Sequence, residues 1–169
     1  MLIQSPPANL SMRLPPAQAV ARMLGDLVGR AVQAKVVPAN PVASGTQIVA
    51  AYVGECQSLQ VVICCDLALG GSLGAALMMV PVVRVNECIK EKCLDETLTG
   101  NLYEVFNVLA AVFPQNGAPR VIFRGLHCGA DIPAEVRTAL ANSRGRLDLE
   151  INVAGYLSGR LAILPTCRT

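Results

Sequence analysis

In LDETLTGNLYEVFNVLAAVF, residues 94 to 113, the apolar side chains Leu98, Leu102, Val105, Leu109 and Val112 recur at steps of three and four, with Phe106 and Phe113 beside them. A stripe of that period runs along one side of an α-helix, so any fold open to this chain must supply a core for it to lie on. Gly100, Glu104, Asn107 and Ala111 fall on the opposite side. There an acid and an amide stand one turn apart, with residues of almost no side chain above and below. Such a face lets another molecule come close. Asp95 or Thr97 can open the helix, because short oxygen-bearing side chains accept from the free N–H groups of the first turn. Pro114 and the Gln-Asn-Gly after it supply the stop.

A chain of 169 residues suits one domain that buries its own core without disulfides or metal. Residues 1 to 14 hold Pro, Ser and Asn with no period and are expected to be an extended or disordered lead-in to a single domain over 15 to 169. The net charge of +2 comes from scattered basic residues, and aromatics make up 4% of the chain with Trp absent. Neither a phosphate backbone nor unstacked bases would find a surface here, so nucleic acid is excluded as a partner. The seven cysteines, at 56, 64, 65, 88, 93, 128 and 167, are odd in number and follow no framework spacing. The first residues lack a basic start followed by an apolar run, which points to a reducing cytoplasm, with most thiols acting as small hydrophobes in the core. No metal site is expected. Cys88, Cys93, His127 and Cys128 contain no CxxC pair, and the step from Cys88 to Cys93 puts two helical thiols on different faces. Leu67 to Val83 is uncharged, but a bilayer span takes about 20 apolar residues and this run is interrupted by Gly70, Gly71, Ser72, Gly74 and Pro81. It is expected to be a buried helix and no membrane segment.

In chain order, Pro15 and Pro16 open a helix through AQAVARMLGDLVGRAVQA, with Val20, Met23, Leu24, Leu27, Val28 and Ala31 as its stripe. Lys35 to Val37 is a short strand before a break at Pro38 to Gly45. Gln47 to Val53 and Leu59 to Cys65 form a hairpin around Gly54 to Ser58. A Gly-Gly-Ser step then leads into a small helix over Leu73 to Met79, and Val85 to Lys92 prolongs or precedes the central helix. After that helix, Arg120 to Leu126 is a strand and Ala134 to Ala141 a short helix opened by Asp131 and Pro133. In the closing hairpin Leu147, Leu149, Ile151 and Val153 alternate with Asp148, Glu150 and Asn152, a pattern with one face on a core and one in water, before Gly155 to Gly159 turns into Arg160 to Leu164. Helix, strand and strand pair thus occur twice. The fold expected is α+β, with two long helices packed on an antiparallel sheet and a pseudo-repeat of helix, strand and hairpin.

Catalytic constellations are few. His127 and Cys128 are neighbours on a strand and point to opposite faces, so they do not make a dyad. Gly70-Gly71-Ser72-Leu73-Gly74 lacks the lysine of a phosphate-binding loop and reads as a tight strand-to-helix turn. Asp148 and Glu150 are placed as any solvated strand face would place them. Glu104 and Asn107 remain, a carboxylate able to pair a cation and an amide able to position a water, side by side on one helix face.

An outward Glu-x-x-Asn in YEVFN, on a central helix preceded by helix plus hairpin and followed by strand, proline-headed segment and terminal hairpin, resembles the CheC/CheX family of chemotaxis phosphatases, whose fold flagellar switch protein middle domains share. The likeness covers residues 15 to 165 in order of elements, and its motif residues are Glu104, Asn107 and, as a third, Pro133. It implies that Glu104 binds a lysine of a phosphorylated CheY-like response regulator and that Asn107 orients the water attacking the phosphoaspartate. By the same resemblance, Gly100, Glu104, Asn107 and Ala111 would form the partner-binding face of a protein that forms homodimers. It implies no cofactor or metal of the chain's own, the Mg²⁺ being carried by the regulator. The sequence departs from the family pattern at three points. Gly100 stands where an Asp or Ser is usual, Pro133 lies a few residues beyond the usual proline, and the first helix has Asp26 and Gly29 in place of a second Glu-x-x-Asn.

Two alternatives to the phosphatase follow. The same fold would serve as a non-catalytic binding or scaffold module in signalling, motility or secretion, or the domain would bind a small molecule in a deep apolar pocket between sheet and helices.

Overall fold

The extended backbone of Pro16 leads into α1 (Ala17–Val28), which buries Ala17, Val20, Leu24 and Val28 and stops at Gly29, whose φ of 64° lies in the left-handed region that glycine enters at no cost. In the computed structural model, which describes residues 12–40, 46–114, 120–141 and 144–166, the chain continues as β1 (Val32–Val36). The helix expected through residue 34 is therefore shorter, with Ala31 exposed outside it, and the strand expected from Lys35 starts earlier. β2 (Ile48–Val53) and β3 (Leu59–Cys65) form the hairpin that the β-branched runs call for, closed by Gly54 N–H on the Ser58 carbonyl at 2.9 Å. The lead-in expected over 1 to 14 and the break at 38 to 45 lie in part outside the described residues.

α2 (Leu67–Leu77) begins six residues before the expected helix, because Asp66 caps it by accepting from Leu69 N–H at 2.8 Å. The Gly-Gly-Ser step is thus the buried middle of a helix and no turn. Its glycines permit close approach: a Cβ on Gly74 would lie 2.5 Å from the Leu98 carbonyl oxygen, and one on Gly70 2.6 Å from Ile48 Cδ1. α3 (Val82–Glu91) is a separate helix ended by Lys92 at φ 60°. α4 (Glu96–Leu109) is the central helix, capped by Asp95, which accepts from Leu98 N–H at 2.8 Å. A 3₁₀ turn over Ala110–Val112 extends it. β4 (Ile122–Cys128), a second 3₁₀ turn at Gly129–Asp131, α5 (Ala134–Ala141), β5 (Leu147–Val153) and β6 (Gly159–Pro165) complete the order.

The six strands make one antiparallel sheet in the order β1-β5-β6-β3-β2-β4. The arrangement is symmetric about the β6–β3 seam, each half giving its first strand to the other half's hairpin: β1 lies beside β5 and β4 beside β2. Both hairpins are consequently interior, and the free edges are the single strands β1 and β4.

One face of the sheet carries α1, α2 and α4 over the main core, where Leu24, Tyr52, Ile63, Leu69, Leu102, Phe106 and Ile151 meet. The other face carries α5, whose Val136 packs with Ile132 on Val49, Val62, Cys64 and Leu164. Burial of a single Leu or Val side chain contributes about 1.5–3 kcal/mol, so a two-sided sheet of this kind holds both helix layers firmly. The alternation expected in β5 is present, but Asp148 is not on a solvated face. It is 7% exposed and forms an ion pair with Arg146 at 2.7 Å, a partner that offsets the cost of removing its charge from water. Cys64, Cys65 and Cys88 are buried and Cys56, Cys93 and Cys128 exposed, so half of the described thiols are surface groups. Cys167 lies outside the described residues. No helix among the described residues is long and apolar enough to cross a membrane.

Candidate functional site

The expected stripe is the buried seam of α4: Leu98, Leu102, Val105, Phe106 and Leu109 have no exposed surface, and Val112 and Phe113 continue it through the 3₁₀ turn. With that side fixed on the sheet, the 3.6-residue period turns Gly100, Glu104, Asn107 and Ala111 outward, and all four are exposed. Neither the Glu104 nor the Asn107 side chain forms a hydrogen bond or ion pair with another described residue. A Cβ at Gly100 would meet no atom within 4 Å, so the surface one turn before Glu104 is open.

Apolar groups stand on both flanks of the polar pair. Tyr103, 44% exposed, meets Phe123 of β4 edge to face at 4.8 Å between ring centroids. Val108, 42% exposed, opens on the other flank into a groove of about 510 Å³ between α1 and α4, walled by Met23, Leu27, Val108, Ala111 and Val112, with Arg22 and Asp26 also lining it.

Four contacts hold α4 in this attitude. Asp95 caps its start and pairs with Arg84 at 2.6 Å. The Leu98 N–H, opposed by partial desolvation and aided by the Arg84 guanidinium, keeps the Asp95 carboxyl below its ordinary range. Asn101 Nδ2 donates to the Gly74 carbonyl at 2.9 Å, and the buried Tyr52 hydroxyl donates to the Phe106 carbonyl at 2.8 Å. Asn101 and Tyr52 were not singled out from sequence; the one signal was a phenol in an otherwise aliphatic strand, IVAAYV.

Other expected groups lie elsewhere. Pro133 opens α5 on the opposite face of the sheet, so it does not join Glu104 and Asn107. On α1, Asp26 is exposed and Gly29 ends the helix, leaving no second acid–amide pair there. His127 is half-buried and Cys128 exposed at consecutive positions of the edge strand β4. Partial desolvation, together with the Asp131 charge, raises the Cys128 thiol. Cys88 lies 3.9 Å from an Asp95 oxygen and Cys93 at the surface. Among the described residues no three His, Cys, Asp or Glu side chains gather closely enough to hold a metal ion. Gly70 to Gly74, buried against α4, β2 and α3, present no cradle for a phosphate.

No protein-family model matches the sequence, and no curated protein matches it. Solved structures do match in three dimensions. FliY of Thermotoga maritima superposes with a TM-score of 0.58 at 14% identity, over 86% of this chain and 81% of that one. The CheX–CheY–BeF3–Mg²⁺ complex of Borrelia burgdorferi gives a match with a TM-score of 0.54 at 12% identity, covering 89% of this chain and 94% of its counterpart. FliM in the FliG–FliM complex of H. pylori gives 0.54 at 10% identity, over 88% and 85%. At such identities it is the fold that is shared: the chain has the CheC/CheX-like α+β architecture also found in FliM and FliY.

Proposed function

We propose that the outer face of α4 binds a phosphorylated CheY-type response regulator and that the chain promotes hydrolysis of its phosphoaspartate. The observation that carries this reading is the exposure of Glu104 and Asn107, side by side, unpaired among the described residues, on a helix whose other side is fully anchored. Glu104 would pair with a cation of the partner, and the pairing gains strength as docking excludes water. Asn107 would reach the phosphoryl group, its carboxamide oxygen accepting from the attacking water. The water oxygen bonds to phosphorus, the acyl–phosphate bond breaks toward the aspartate carboxylate, and inorganic phosphate leaves. The chain needs no nucleophile for this step, only the placing of a water, and the divalent cation would be the partner's. Gly100 and Ala111 would let the partner's surface approach along the helix. The expectations of cytoplasmic location and of a homodimer belong to the same proposal, with β1 or β4 as the strand edge available to a second copy.

A second reading, a non-catalytic docking module, is favoured by the absence of an acid or hydroxyl at position 100 and by the groove beside Val108, which suits binding and adds nothing to hydrolysis. The two separate in one experiment. Purified protein mixed with a phosphorylated receiver domain shortens the phosphate lifetime under the first reading, and Asn107→Ala removes on the order of 10² of that rate, the usual effect of losing one positioned polar group. Binding without any change in lifetime, unaffected by Asn107→Ala and blocked by a bulky residue at Gly100 or Ala111, would establish the second.

A further inference from the structure

The chain has three tyrosines and three phenylalanines, and five of these six converge on the segment that carries Asn107. Tyr52 of β2 packs against Phe113 at 5.7 Å and Phe123 at 5.5 Å, and Phe123 in turn backs Tyr103 at 4.8 Å. At the centre of this group the Tyr52 hydroxyl, with no exposed surface, donates to the carbonyl of Phe106, the residue immediately before Asn107. That carbonyl belongs to the last turn of α4, where intrahelical donors run out and the chain tightens into the 3₁₀ turn at Ala110. A helix end that borrows a donor from the neighbouring sheet is held at a fixed height above it. Packing alone does not need the hydroxyl, since a phenylalanine would fill the same space.

We infer that Tyr52 is a positioning residue for the proposed reaction, its hydroxyl fixing the Phe106 peptide and, through it, the direction in which the Asn107 carboxamide leaves the helix. The inference rests on the phosphatase reading of this face. Burial holds the phenol well above its ordinary titration range, so it stays a donor at any working pH. The partner does not touch Tyr52, and its loss therefore acts on turnover and not on docking.

The test is Tyr52→Phe in the full chain, assayed on a receiver domain phosphorylated with acetyl phosphate. A small misplacement of a reacting group carries a large rate penalty, so kcat is expected to fall on the order of tenfold with KM unchanged. The double variant Tyr52→Phe/Asn107→Ala should match Asn107→Ala alone, and amide exchange should speed up at residues 107–112 with no change at 98–105. A tyrosine that merely stabilises the fold would lower the melting midpoint and leave kcat intact in Tyr52→Phe; that result overturns the inference while leaving the phosphatase reading in place. An unmodified protein that never shortens the phosphate lifetime removes both.

Discussion

Gly74→Ala and Gly100→Ala are the same substitution in two helix interiors, and the structure gives them opposite signs. In a helix, alanine is favoured over glycine by about 0.8–1.0 kcal/mol through backbone entropy, and both variants gain that much. At Gly100 nothing lies within 4 Å of the new methyl, so the gain stands alone. At Gly74 the methyl would lie 2.5 Å from the Leu98 carbonyl oxygen and 3.3 Å from its carbon, both backbone atoms of the adjacent α4. Backbone does not rotate away as a side-chain tip would, so α2 and α4 must separate, an overpacking cost of about 1–3 kcal/mol. Gly74→Ala should thus lose up to about 2 kcal/mol net while Gly100→Ala gains somewhat under 1 kcal/mol. For a domain of this size each kcal/mol moves the melting midpoint by about 2–4 °C. Urea unfolding followed by circular dichroism would report both free energies, with the slope checked for constancy. If the two variants shift in the same direction, the close approach of α2 and α4 through Gly74 is wrong.

Two further outcomes can be measured on the same protein. Because the folded state holds Asp95 below its ordinary carboxyl range through the Leu98 N–H and Arg84, its contribution is full above the unfolded value near pH 4 and is lost as pH falls through the folded one. Asp95→Ala should cost about 1 kcal/mol at neutral pH and flatten the acid limb of stability below about pH 4, as read from melting midpoints across pH; an unchanged acid limb would contradict the cap. Burial pushes the Cys64 thiol up to about 12 and holds Cys65 well above its ordinary value, while Cys56, Cys93 and Cys128 are exposed. A thiol reagent at pH 8 should label the exposed group in native protein and reach Cys64 and Cys65 only on unfolding, with peptide mapping to tell them apart.

The fold was legible wherever a period was long. The α4 seam from Leu98 to Phe113 and the alternation from Leu147 to Val153 each extend over enough residues to define both an element and its buried side, and the repeat of helix, strand and hairpin follows from them. Local propensity misled where tertiary packing decided. Gly70, Gly71 and Gly74 read as a turn because glycine weakens isolated helices, yet in α2 they are what allows α3, α4 and β2 to come close. Gly29 ended α1 earlier than the apolar spacing implied, because a left-handed residue outweighs one more alanine on the stripe. Asp148 looked solvated from its period, and only the approach of Arg146, two residues away on the chain, makes its burial tolerable. Of the candidate site, Glu104 and Asn107 could be placed on the outer face from spacing alone, since helical geometry fixes the side opposite a seam. Tyr52, Asn101 and the groove beside Val108 could not, because each arises from contact between elements distant in sequence. Strand order, with β1 and β4 crossing to the other half's hairpin, had no local signature at all.

The proposed hydrolysis depends on Asn107 acting from the outer face of α4, and its most direct test is the lifetime of a phosphorylated receiver domain, followed by loss of label, with and without this protein. The lifetime is expected to shorten in proportion to the protein added and to return to its spontaneous value with Asn107→Ala, folded and melting as the parent does. A lifetime untouched by the intact protein, or shortened equally by the Asn107→Ala variant, would contradict it.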